Sequence, residues 1–175
     1  MDDMAVIHAL WVGEIKPDRA STWIQNVIGA NYSHNCFIFE KTGMLWEATF
    51  DPDEPKNNGI ISRPPRLALQ KCVIRARKRI QLTITNDGFE EWLDEERLKD
   101  YSQGQNLGAI LPWWKRIYSN GDDKRNCSEL LAAACKWSEY KFPRNKDYIR
   151  PTDTFRVIKP DIVNEIVDPS WRFRP

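Results

Sequence analysis

The chain has 175 residues and a formal net charge of +1: the length suits one domain spanning 1–175, and the charge creates no whole-molecule field toward nucleic acid or anionic lipid. Its start, Met1-Asp2-Asp3-Met4, lacks the basic and apolar regions of a secretory signal, and no run of about 18 apolar residues occurs, so a soluble, cytoplasmic protein without stable membrane insertion is expected. The four cysteines, Cys36, Cys72, Cys127 and Cys135, show no CxxC spacing, which supports neither a zinc cluster nor a disulfide framework; reduced thiols, no metal and no cofactor are expected.

In chain order, residues 5–12 read as a strand carrying His8, a packed or edge-strand histidine. A helix is expected over 20–29. Residues 31–40, rich in aromatic and β-favouring side chains, predict a second strand; Lys41-Thr42-Gly43 is a turn and 44–50 a third strand, the two strands forming a hairpin. By period-two alternation Tyr32, His34 and Cys36 share one face, and Glu47 on the partner strand can lie across from His34. A loop over 51–59 follows, placed where loops commonly shape substrate entry, and 62–66 make a second break. Residues 72–84 have the make-up of one long strand or two short ones, with Arg75, Arg77 and Arg79 alternating along a face that is either solvated or a polyanion site.

From Asp87-Gly88 the pattern turns helical, with Phe89, Trp92, Leu93 and Leu98 near helical spacing. A further helix is expected from 106, tilted at Pro112 and continuing to Tyr118, with a turn over 119–123. A helix then opens at Cys127, and 154–158 read as a closing strand. Most of the eight tryptophans fall where core packing explains them. Trp113, Trp114 and the run Trp171-Arg172-Phe173-Arg174-Pro175 look instead like aromatic surfaces for a ligand, a partner or a membrane interface.

The most informative stretch is Asn126-Cys127-Ser128-Glu129. Asn126 is a favoured N-cap and Glu129 stands where a capping box returns its carboxylate, which places Cys127 at the first helical position. The partial positive charge of the helix end stabilises a thiolate there and makes Cys127 a candidate nucleophile. With only two histidines in the chain, His34 is the candidate general base, and Glu47 is either a solvated strand residue or the carboxylate that orients the imidazole. Tyr32 and Asn126 are the candidates for substrate or oxyanion contact, Tyr32 being equally suited to a core role.

The order of these motifs, Tyr32-Ser33-His34, then Trp46-Glu47-Ala48, Gly59-Ile60-Ile61, Tyr101-Ser102-Gln103, Asn126-Cys127-Ser128-Glu129-Leu130 and Arg150-Pro151-Thr152-Asp153, resembles the circularly permuted papain-like cysteine hydrolases of the NlpC type, including the YiiX-like proteins. The chain departs from the pattern in carrying Asn35-Cys36 directly after the histidine, where small or branched apolar residues are usual. The resemblance implies an α+β fold, with a central antiparallel sheet packed against helices including the nucleophile helix. It implies Cys127 as nucleophile, His34 as base and Glu47 as third polar residue. The substrate it implies is an acyl amide, either a cell-wall peptide or a lipid amide or ester, cleaved by a peptidase or amidase or transferred by an acyltransferase. A wall-degrading enzyme without an export signal would act from inside, travel in a phage particle or leave by another route. The alternative is a non-catalytic binding module using the Trp-rich and Arg-rich surfaces; nucleic acid is not the expected partner.

Overall fold

The computed structural model describes residues 3–16, 22, 25–26, 29–49, 58–101, 124–142 and 149–175. Most of the helix expected over 20–29 lies outside these residues. So do the loop at 51–57, the segment 102–123 with Trp113 and Trp114, and the polar stretch 143–148.

The architecture is α+β: a six-stranded antiparallel sheet packed against helices. Its strands are β1 (Met4–Glu14), β2 (His34–Phe39), β3 (Met44–Thr49), β4 (Gly59–Arg63), β5 (Cys72–Thr85) and β8 (Asp161–Ile166), in the spatial order β4-β3-β2-β1-β5-β8. Between them lie α1 (Pro65–Ala68), α2 (Asn86–Glu96), α3 (Cys127–Ala134) and α4 (Pro151–Ile158), with a short parallel pair, β6 (Asp100–Tyr101) and β7 (Lys124–Arg125), leading into α3.

Alternation along the strands builds two apolar layers. Trp11, Phe37, Phe39, Trp46, Ala76 and Leu82 face Phe89, Trp92 and Leu93 of α2 and Leu130, Leu131 and Ala134 of α3. On the other side, Leu10, Val12, Cys36, Ile38, Leu45 and Ile74 are covered by Leu69, Val167, Trp171 and Phe173. Every residue of α3 is buried, its leucines and alanines in the core and its Ser128 and Glu129 hydrogen-bonded.

Several elements match the sequence pattern. Gly43, at φ +66°, closes the hairpin turn that Lys41-Thr42-Gly43 predicts, and residues 72–85 form one long strand. Thr85 caps α2 by accepting from the Gly88 amide at 3.2 Å, although Leu98 falls beyond the helix and is exposed. The expected break at 62–66 is instead the end of β4 followed at once by α1, whose first helical position is Pro65, a place where proline's missing N–H costs nothing.

The closing strand expected over 154–158 is a helix. Pro151 opens α4, and the Asp153 carboxylate accepts from the Arg150 amide at 2.9 Å. Thr154 and Ile158, one turn apart, are its buried residues. The strand that does close the sheet comes later, at 161–166. The even face expected of Arg75, Arg77 and Arg79 is broken as well. Val12 pairs with Ile74 and Trp11 with Ala76, so Arg75 is the extra residue of a bulge. Finally, Trp171 and Phe173 are half-buried against the outer apolar layer rather than forming a free aromatic surface.

Candidate active site

The cysteine helix begins as its sequence demands. The Asn126 side-chain oxygen accepts from the Glu129 amide at 2.9 Å, and the Glu129 carboxylate accepts from the Asn126 amide at 2.9 Å, completing the reciprocal box. The approach to this cap is fixed from outside. Arg125 donates to buried Glu96 at 3.2 Å, and Glu96 also pairs with Lys99 at 2.5 Å. Cys127 therefore stands at the first helical position, 8 % exposed, its sulfur at the positive end of α3.

His34 is the first residue of β2, at the end of the sheet that the α3 N-terminus reaches. Its Nε2 donates to Glu47 Oε2 at 2.9 Å, and the ring shares a side-chain hydrogen bond with Cys127, for which Nδ1 is the remaining nitrogen. Glu47 is 5 % exposed and held from its other side, Oε1 accepting from Arg63 Nε at 2.7 Å and Nη2 at 2.5 Å. Leu45 pairs with Arg63 and Glu47 with Ile61 across β3 and β4. His34, Glu47 and Arg63 thus form a row across three neighbouring strands, within diagonal reach of one another.

The charges of this row decide the titrations. Burial would push the His34 imidazole down, but the Cys127 sulfur beside it, aided by Glu47, overrides burial and raises its pKa to about 10. Burial would likewise push the Cys127 thiol up; the His34 cation, through its charge and a hydrogen bond, and the Asn35 amide bring it below its ordinary value. The Glu47 carboxyl resists burial in the same way, held down by His34 and then Arg63. The other three thiols go the opposite way. Burial lifts Cys72 to about 11 and Cys135 to about 12, and drives Cys36 well above its ordinary range. All four cysteines are free thiols, so one is set apart by its surroundings and not by its redox state.

Beneath the pair runs a polar network. Asn35 is fully buried; its carboxamide oxygen accepts from Ser128 Oγ at 3.1 Å and its nitrogen donates to Thr154 Oγ1 at 3.1 Å. Thr154 in turn donates to the Pro151 carbonyl at 2.8 Å and accepts from Trp11 Nε1 at 3.1 Å. The asparagine that departs from the apolar pattern after the histidine thus ties β2, α3 and α4 together.

Sequence reasoning named Cys127, His34 and Glu47, and the fold brings these three into contact. Tyr32 and Asn126 do not join them. Tyr32 precedes β2 and packs in the helix-side layer, its ring stacked on Phe155 at 5.3 Å, with burial raising its phenol to about 12. Asn126 commits its side-chain oxygen and its backbone amide to the cap, and neither is turned to a substrate. The cap leaves the amides of Cys127 and Ser128 at the helix end for an incoming anion. Arg63 and Asn35 were missed. Both lie in motifs read for other reasons, Arg63 in an apparent loop break, and neither carries a sequence signal of its role.

His8 is buried on β1, its Nε2 bonded to Glu40 at 2.7 Å, and takes no part in the site. Among the described residues no group of His, Cys, Asp and Glu has a metal-holding arrangement, and no helix is long and apolar enough to cross a membrane. Compared with protein-family models, curated proteins and solved structures, the chain matches none.

Proposed function

We propose that the chain is a cysteine hydrolase or acyltransferase of permuted papain-like architecture, acting on an acyl amide such as a peptide crosslink or a lipid amide or ester. The observation that carries this reading is the selective depression of the Cys127 thiol by a histidine whose far nitrogen is held by a buried, ionised carboxylate. A hydrolase needs such a nucleophile, base and orienting group in contact. The permuted frame is supported by the histidine strand preceding the cysteine helix in the chain and by the antiparallel sheet on which both sit.

In the first half-reaction the Cys127 thiolate attacks the acyl carbonyl carbon, and the electron pair displaced onto oxygen is met by the Cys127 backbone amide at the helix end. The His34 imidazolium gives its proton to the leaving nitrogen or oxygen, and the C–N or C–O bond breaks to leave a thioester. Neutral His34 then takes a proton from water, or from an acceptor nucleophile, as that group attacks the thioester and expels the thiolate. Glu47 keeps the ring oriented through both steps, and Arg63 keeps Glu47 ionised.

The binding-module alternative draws less from the fold. Arg79 pairs with Glu40 and Arg75 bonds Asn164, while Arg77 reaches Glu165 only at 3.9 Å, so two of the three strand arginines already have close partners within the chain. Limited alkylation with iodoacetamide at neutral pH, read by peptide mass spectrometry, tests the proposal. Cys127 should label at least about tenfold faster than Cys36, Cys72 or Cys135, and His34→Ala should abolish the preference. Labelling of Cys127 no faster than of the other thiols would refute it.

A further inference from the structure

We infer that the cavity between the outer sheet face and the closing segment 167–175 is a binding site for a small amphipathic organic anion, separate from the Cys127 centre. The cavity has a volume of about 380 Å³, within the range of small-molecule sites. Leu10, Ile38 and Ile74 form its base and are almost fully covered, while the half-buried Trp171 and Phe173 form its aromatic wall. Around the mouth stand Arg77, Arg172 and Arg174 against a single carboxylate, Glu165.

The hydrogen bonding of these groups shows which charges are committed. Glu165 Oε1 accepts from Trp171 Nε1 at 2.5 Å and its Oε2 lies 3.9 Å from Arg77, a long pairing that leaves most of the Arg77 fork unused. Arg172 donates to two backbone carbonyls of its own segment, those of Pro169 and Trp171, which carry no charge to balance it. Arg174 has no ion pair among the described residues. Arg79 is different. Both of its bonded nitrogens are taken by Glu40, which also holds His8, so that cluster is closed and only its His8 lines the cavity.

The site therefore offers guanidinium donors beside two half-buried aromatic rings, the chemistry that takes a carboxylate or sulfonate head on a short apolar body. His8 provides a reporter. It lines the cavity, is 6 % exposed, and meets the Phe173 ring edge-on at 4.8 Å.

Titration of the full chain with decanoate, followed by calorimetry and by the NMR signals of the two histidines, tests the inference. The expected result is saturable one-to-one binding that shifts His8 and leaves His34 unmoved, with decanol binding at least about tenfold more weakly than decanoate. Arg172→Glu and Arg174→Glu alter exposed side chains and preserve the fold; each should weaken decanoate about tenfold while leaving Cys127 alkylation unchanged. Equal affinity for decanol, indifference to both charge reversals, or a shift of His34 without His8 would each overturn it.

Discussion

Replacing Cys127 by Ser removes the sulfur that raises His34 most and keeps the side chain nearly the same size. In the folded protein the imidazole titrates at about 10 against an ordinary 6.5, a rise of about 3.5 pH units that corresponds to about 5 kcal/mol of preference for the charged ring. That preference exists despite burial, which alone favours the neutral form, and Cys127 and Glu47 are its sources. A serine hydroxyl at position 127 carries no charge near neutrality, so Glu47 is left to oppose burial alone. The His34 pKa should then fall by at least about two pH units, in keeping with the one to three units that an adjacent opposite charge supplies. The chain has only His8 and His34, so two-dimensional NMR of the imidazole protons across pH 5 to about 11 follows both rings separately. His8, bonded to Glu40 on β1, should titrate identically in the two proteins and serves as the internal control. If His34 in Cys127→Ser titrates within half a unit of the unmodified protein, the sulfur is not ionised beside it and the ion pair on which the catalytic reading rests does not exist.

Glu47→Gln keeps a hydrogen-bond acceptor for His34 but removes its charge, so Cys127 alkylation at neutral pH should slow by about tenfold or more, with Arg63→Met showing a smaller loss in the same direction; an unchanged rate in Glu47→Gln would discard the carboxylate's role. Asn35→Leu leaves the buried Ser128 hydroxyl without its acceptor, which should cost roughly 1–3 kcal/mol in urea unfolding and loosen the His34 and Cys127 pairing enough to lower the alkylation rate together with stability. The ion pair also sets a pH signature: above the unfolded imidazole's 6.5 the raised His34 favours unfolding as pH rises, while below the unfolded thiol's 9.0 the lowered Cys127 favours folding as pH rises. Relative to a Cys127→Ser, His34→Gln double variant, stability should fall with base from about pH 9 to 10, where the unfolded thiol is already ionised and the folded imidazole is losing its proton; stability that rises with base there would contradict the pair.

The strands and the site residues were legible for different reasons. Strands β1 to β3 follow from runs of aromatic and β-branched residues, and α3 from a complete capping box, both local signals that tertiary packing had no cause to override. Residues 154–158 misled because Phe155, Val157 and Ile158 favour strands; Pro151 and Asp153, named only as a motif ahead of that strand, are a helix start and decided the matter. The contact of Cys127 with His34 was inferred from chemistry and motif order, since nothing in local sequence measures a distance across more than ninety positions. Arg63 and Asn35 were invisible for a related reason. Their roles are set by cross-strand register and by helix docking, which exist only once the sheet is assembled.

The placement of Asn35 explains how such a long-range pair can hold its geometry. It is next in sequence to His34, and its hydrogen-bond partner Ser128 is next to Cys127, so this polar link between strand and helix lies a single residue from each reacting group. An apolar residue at 35 would still hold α3 against the sheet, but apolar contact is non-directional and tolerates sliding. A slip of α3 by one residue moves its side chains by about 1.5 Å along the axis and turns them by about a quarter of a turn, enough to separate Ser128 from Asn35 and the sulfur from the imidazole at once. Because the Ser128 hydroxyl is fully buried, that slip carries an unsatisfied-donor cost that hydrophobic burial does not offset. The polar network thus selects the helix register in which the thiol meets the histidine, and the thiol pKa is lowered because that register is the stable one.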